Sequence, residues 1–198
     1  MHRGSLIGAL ALLLSLVGAA CERTTRADAT DIDGVMPGLS FSLVRSNDNS
    51  AVTAADYRGR TVLLYFGYTH CPDECPTTLA NLAAMLRQLG RAGNNVRVLF
   101  VSVDPERDTV PVLRTYVRSF APQIDGLRGS ANAVTALARR YRVLFAVTPA
   151  TANRPYSVMH SDTLFVFDGS GRPRWALTST ENTAALASRI ENLGSRTP

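Results

Sequence analysis

The sequence contains no lysine, so all 21 of its Lys-plus-Arg cations are arginine, and against 16 acidic residues they give a formal charge of +5. The arginines are scattered, and the densest group, Arg139, Arg140 and Arg142, is short. A nucleic-acid-binding chain would carry a basic stripe or a recognition motif, and neither is present. No nucleic-acid partner is expected. A mildly basic surface suited to acidic partners or anionic headgroups is the simpler reading. Cysteine and histidine are scarce, at 3 residues each, which excludes the disulfide framework of small secreted scaffolds. After residue 20 no apolar run approaches the roughly 20 residues needed to cross a bilayer. A chain of 198 residues is long enough for one domain with a sizeable core and short for two.

What is present begins at the amino terminus. Met1-His2-Arg3 is a short basic start, Leu6 to Ala20 is almost wholly apolar, and Gly18-Ala19-Ala20 ends it in small residues. That pattern reads as an export signal over residues 1–20. Cys21 follows the small residues, where a bacterial lipoprotein signal places its lipidated cysteine, although Gly18 stands where such signals usually have leucine. Lipid attachment at Cys21, cleavage with release, and retention as an uncleaved anchor are the three readings. Each places the domain outside the cytoplasm, where disulfides are permitted. Residues 21–33 read as a flexible linker and 34–195 as the folded domain.

From Phe41 the pattern is regular. Phe41–Val44 and Ala51–Thr53 read as short strands flanking the polar turn Asp48-Asn49-Ser50. Val62–Phe66 is a continuous apolar run, as expected of a strand buried on both faces. Pro76 suits a first helical turn, and Leu79, Leu82, Leu86 and Leu89 follow at helical spacing up to Gly90. Val96–Val103 is a second buried strand. A helix from Asp108 or Thr109 carries Val110, Leu113, Val117 and Phe120, a brief strand spans Ile124 and Leu127, and Ser130 caps a helix with Val134, Leu137 and Tyr141. Val143–Val147 and Thr163–Phe167 read as strands, with Thr148–His160 as a long loop between them. Asp168-Gly169-Ser170-Gly171 turns the chain into Trp175-Ala176-Leu177, and a last helix runs from about Glu181. This order predicts an α/β fold, a central mixed sheet flanked by helices on both faces. A cysteine pair between a buried strand and a helix is the arrangement of thioredoxin-like domains.

Cys71 and Cys75 are the pair. Their short loop offers little chain-entropy stabilisation, so chemistry is a better reason for them than structure. A helix amino terminus favours thiolates, so at least one should be reactive. Three residues intervene, Pro72-Asp73-Glu74, where dithiol oxidoreductases of this fold usually have two. A redox pair, a metal site and an inert pair all remain open. Two soft thiolates leave a metal site incomplete, and His160 is the better third donor because His70 adjoins Cys71 and is read as making local hydrogen bonds. Two sulfurs and one nitrogen suit copper, cobalt or zinc. Asp104, at the carboxyl end of the second buried strand, either shapes its turn or supports the site through a hydrogen bond to a histidine or thiolate. Tyr65, Phe66, Tyr68 and Phe100 read as core and rim packing.

YFGYTHCPDECPTTL (Tyr65–Leu79), LFVSVDPERDT (Leu99–Thr109) and YSVMHSDTLFVFDGSG (Tyr156–Gly171) together closely resemble, in order and spacing, the signatures of the SCO/SenC family of copper chaperones for cytochrome c oxidase assembly. The resemblance spans about Gly34–Leu193. It implies a thioredoxin-like fold, Cys71, Cys75 and His160 as ligands of copper, Cu(I) or Cu(II), and Asp104 as a supporting residue. It further implies delivery to the copper-binding subunit of the oxidase, with a periplasmic copper donor and a thiol reductant as further partners, and membrane association through the amino terminus on the periplasmic side. The alternative is a thiol-disulfide reductase that keeps that subunit's cysteines reduced. Met159 departs from the family pattern, in which aspartate often precedes the histidine.

Overall fold

The computed structural model describes residues 29–194. The expected export signal, the lipidation candidate Cys21 and residues 22–28 lie outside the described residues. No helix among the described residues is long and apolar enough to cross a membrane.

Among the described residues, ten strands and four α-helices follow one another as β1 (Ala29–Asp31), β2 (Ser42–Arg45), β3 (Ser50–Thr53), β4 (Thr61–Gly67), α1 (Glu74–Leu89), β5 (Val96–Ser102), α2 (Val110–Arg118), β6 (Ile124–Arg128), α3 (Ala131–Arg140), β7 (Phe145–Thr148), β8 (Ser157–His160), β9 (Leu164–Phe167), β10 (Pro173–Leu177) and α4 (Thr183–Gly194). Eight strands form one mixed sheet in the order β1-β10-β9-β4-β5-β6-β2-β3. The central strands β4, β5 and β6 are parallel, and β9 runs antiparallel to β4. Every residue of β4 is buried, which is why its sequence is continuously apolar rather than alternating. Successive side chains of β4 feed two cores. Leu63 and Tyr65 join Leu79, Leu82 and Leu86 of α1, Leu113 and Val117 of α2, and Leu186 and Ile190 of α4 on one face. Val62, Leu64 and Phe66 meet Val134, Leu137 and Ala138 of α3 on the other. The expected α/β sheet with helices on both faces is therefore the fold.

Local chemistry sets the helix starts. Ser130 accepts a hydrogen bond from the Ala133 amide as the cap of α3, and Pro111 lies in the first turn of α2, where its missing N–H costs nothing. Pro76 occupies the corresponding first turn of α1.

Two expectations are corrected. Residues 29–31, expected at the end of a flexible linker, form β1 and add to the sheet edge against β10, with Asp31 opposite Trp175 and Ile32 buried just beyond. The edge of β10 offers backbone partners that no side-chain pattern in this short segment advertises. Thr148–His160, expected as one loop, contains β8, which pairs with β7 as a separate two-stranded hairpin. The run Val143–Val147 is thus not a strand of the main sheet, and Leu144 and Val147 are exposed. A short apolar run reports extended backbone without naming the partner strand. Pro149 and Pro155 confine the irregular part to the tip of the hairpin.

Candidate metal centre

The carboxyl end of β4 carries the cysteine segment. At Gly67 the strand passes so close to its neighbours that an added Cβ would stand 2.7 Å from Cys75 Sγ and 2.6 Å from the Phe100 ring. Glycine here makes room for the sulfur. Cys75 is the second residue of α1, so its backbone N–H lacks an intrahelical acceptor and instead donates to Cys71 Sγ at 3.4 Å. The two thiols differ in exposure, Cys71 being half-buried and Cys75 fully buried. Burial pushes the Cys75 thiol well above its ordinary range. The buried Tyr65 hydroxyl lies 3.9 Å from Cys75 Sγ and donates to Asp162 at 2.5 Å. On the rim, the charge of Asp162 raises the exposed Glu74 carboxyl.

His160 ends β8. Its Nδ1 lies 3.1 Å from the Ser161 carbonyl oxygen, an acceptor, so a proton on Nδ1 would make that bond and leave the Nε2 lone pair facing Cys75. That Nε2 stands 3.3 Å from Cys75 Sγ. The ring sits edge-on between Tyr65 and Tyr68, at centroid distances of 6.1 and 5.9 Å. The ligating atoms of Cys71, Cys75 and His160 all lie within 4.8 Å of one another. Three donors bound at about 2.0–2.3 Å in a trigonal arrangement stand about 3.5–4.0 Å apart, so the three reach a single ion after shifts of under about 1 Å. Met159 alternates to the outer face and is 69% exposed. His70 is half exposed, with Nδ1 3.1 Å from the Thr69 hydroxyl and 3.9 Å from Asp108.

Asp104 is buried, and its carboxylate is shared between Arg107 and the Tyr156 hydroxyl, the latter at 2.8 Å. Its backbone carbonyl accepts from the Asp108 amide at 3.0 Å, so it shapes the turn, whereas the expected hydrogen bond to a histidine or thiolate is replaced by those to Arg107 and Tyr156. The sequence reading overlooked Asp108. Fully buried, it accepts from the Thr69 amide at 3.1 Å, the Thr69 hydroxyl at 2.6 Å and the Ser102 hydroxyl at 2.5 Å, fixing the turn that leads into Cys71. The available signal is a second aspartate four positions after Asp104, where the next helix is expected to start. Asp108→Ala would strand the buried Ser102 hydroxyl and the part-buried Thr69 donors, and a net loss of about 3 kcal/mol is expected. Urea unfolding should show a lowered midpoint at unchanged slope. An unchanged midpoint would remove Asp108 from this role.

Comparison with known proteins agrees with this geometry. The family model described as SCO1/SenC matches residues 31–195. The mitochondrial SCO2 homologue of Bos taurus is 44% identical over 119 residues, covering 59% of this chain and 45% of its own. The chain thus spans about half the length of that curated relative. The SCO2-like protein of Rickettsia felis is 30% identical over 167 residues, 84% of this chain and 80% of its own. Among solved structures, copper-bound ScoI of Bradyrhizobium japonicum superposes with a TM-score of 0.72 at 32% identity, over 79% of this chain and 98% of its own. Copper-bound yeast Sco1 gives 0.74 at 29%, over 82% and 91%.

Proposed function

The chain belongs to the SCO1/SenC family, and from that premise we propose that it carries copper as cargo on Cys71, Cys75 and His160 and delivers it to the dinuclear copper centre of a cytochrome c oxidase subunit. The observation that supports this most is the gathering of two sulfurs and an imidazole nitrogen within 4.8 Å, from segments 85 positions apart. Two thiolates favour monovalent copper, and the imidazole completes a three-donor set that also accepts the divalent ion. Relatives solved with copper bound share the fold at about 30% identity. Half-buried Cys71 and His160 lie at the accessible side of the set and buried Cys75 at its floor. An acceptor's ligands would therefore displace Cys71 and His160 before Cys75. Incubating copper-loaded protein with a metal-free oxidase copper domain should transfer the ion, read in the acceptor's visible and EPR spectra. No transfer would contradict delivery. In this reading the protein acts outside the cytoplasm, on the periplasmic side of a bacterial membrane, with Cys21 as its attachment point.

A pH dependence follows. Copper must displace the proton that burial holds on Cys75, and that competition eases as pH rises. Apparent affinity should therefore increase with pH through the neutral range, by about tenfold per unit for each proton displaced. A competition titration at several pH values measures the slope. A flat profile would mean that Cys75 is not a ligand.

The unequal exposure of the two thiols also supports a second activity, thiol-disulfide exchange. Cys71 would attack a client disulfide to form a mixed disulfide, and Cys75 would displace the client sulfur. The client gains two thiols, the chain is left with a Cys71–Cys75 disulfide, and a thiol reductant restores it. His160→Ala should spare this reduction while weakening copper binding, a contrast that separates the two activities.

A further inference from the structure

We propose that Arg107 is a positioning residue for His160, a latch between the loop that joins β5 to α2 and the β7–β8 hairpin. Among the described residues the hairpin pairs only with itself, so sheet hydrogen bonds to the main body do not hold the imidazole over the cysteines. Val158 is buried, with its backbone toward the Tyr68 hydroxyl, and several further contacts meet at one guanidinium. Arg107 Nε meets the Asp104 carboxylate, and Nη1 donates to the Tyr156 carbonyl oxygen at 3.0 Å. The guanidinium carbon stacks 3.7 Å from the centroid of the Tyr156 ring. It also lies 5.6 Å from the Tyr68 ring, which is itself edge-on to His160. The Tyr156 hydroxyl returns to Asp104 and closes the circuit.

The circuit acts on His160 through the backbone. Tyr156 precedes His160 by four residues, all extended, so fixing its carbonyl and ring fixes where β8 enters the site, with little slack. Arg107 Nη2 is buried and has no hydrogen-bond partner among the described residues, a desolvation cost that an arginine turned to solvent would escape. The guanidinium stays because stacking and two directed hydrogen bonds outweigh that cost. Lysine can match Asp104 as a point charge but cannot supply the fork and the stack together.

The inference gains its functional meaning from His160 as a copper donor, but its test does not need the metal. In metal-free protein the imidazole C–H resonances carry ring-current shifts from Tyr65 and Tyr68. Arg107→Gln should move them toward the values of an exposed histidine and speed exchange of the Ser161 amide, which bonds Leu144 across the hairpin. Amide resonances of β4, β5 and α1 should stay in place. Arg107→Lys should not restore the wild-type imidazole shifts. Tyr156→Phe, which keeps the ring and the carbonyl, should retain them. In a copper titration Arg107→Gln should bind about tenfold more weakly, the size of effect seen when a ligand loses its support.

Unmoved imidazole resonances in Arg107→Gln would overturn the latch. Tyr156→Ala removes the stack from the hairpin side and should reproduce the Arg107→Gln result. If both variants disturb β4 and β5 as strongly as the hairpin, Arg107 is a general structural residue and the latch is wrong. Failure of the ligand reading has a different signature: His160→Ala would leave copper binding unchanged while the resonances still respond to Arg107.

Discussion

Alanine at Gly67 is expected to weaken both the fold and the copper site. Its Cβ would fall 2.7 Å from Cys75 Sγ and 2.6 Å from a carbon of the Phe100 ring, and both neighbours are fully buried. Neither can rotate into solvent, so the clash must be relieved by displacing the sulfur, the ring or the strand. Overpacking of this kind costs about 1–3 kcal/mol, more than the small gain from replacing glycine inside a strand. Displacement of the sulfur would also break its 3.3 Å approach to His160 Nε2. A copper affinity lower by at least about tenfold is expected, comparable with the loss of a ligand's supporting contact. Gly194→Ala is the matching control, because a Cβ there meets nothing within 4 Å among the described residues, and its effect should stay within about 0.5 kcal/mol. Thermal unfolding and a copper competition titration read the two consequences separately. A Gly67→Ala protein as stable and as tightly binding as wild type would mean that the strand yields more easily than its packing indicates.

How far the sequence foretold this arrangement depends on the range of the contacts involved. Buried parallel strands betray themselves, since β4 and β5 meet apolar neighbours on both faces and must be apolar throughout. Helices α1 to α3 carry periodic Leu and Val together with a proline or a serine at the start, all local signals. The three candidate ligands were legible because cysteine and histidine are so scarce here. The contacts between segments were not legible. Residues 29–31 join the sheet through backbone hydrogen bonds, which are indifferent to side-chain type. That the hairpin β7–β8 stands apart from the main sheet is not legible, because extended propensity does not name a partner. Asp104 and Asp108 sit in one turn and look alike in sequence. Only their surroundings separate them: Asp104 faces Arg107 and the hairpin, whereas Asp108 faces Thr69 and the cysteine turn. Tyr156 and Arg107 are 49 positions apart, and a tyrosine beside a proline-containing tip gives no sign of a cation stacked on it.

The central claim is that one copper ion is shared by three residues from two distant segments. The direct test is a competition titration of reduced protein with Cu(I) against a chelator of known affinity, comparing wild type with His160→Ala, Cys71→Ala and Cys75→Ala. Circular dichroism establishes that each variant keeps its fold. One copper per wild-type chain is expected, with a loss on removing His160 of at least about a hundredfold, beyond the range found for residues that only support a ligand. Each cysteine variant should lose more, because a soft thiolate contributes more to monovalent copper than imidazole does. His160→Ala binding copper with wild-type stoichiometry and affinity would contradict the account and leave the cysteines as a two-sulfur site or a redox pair alone.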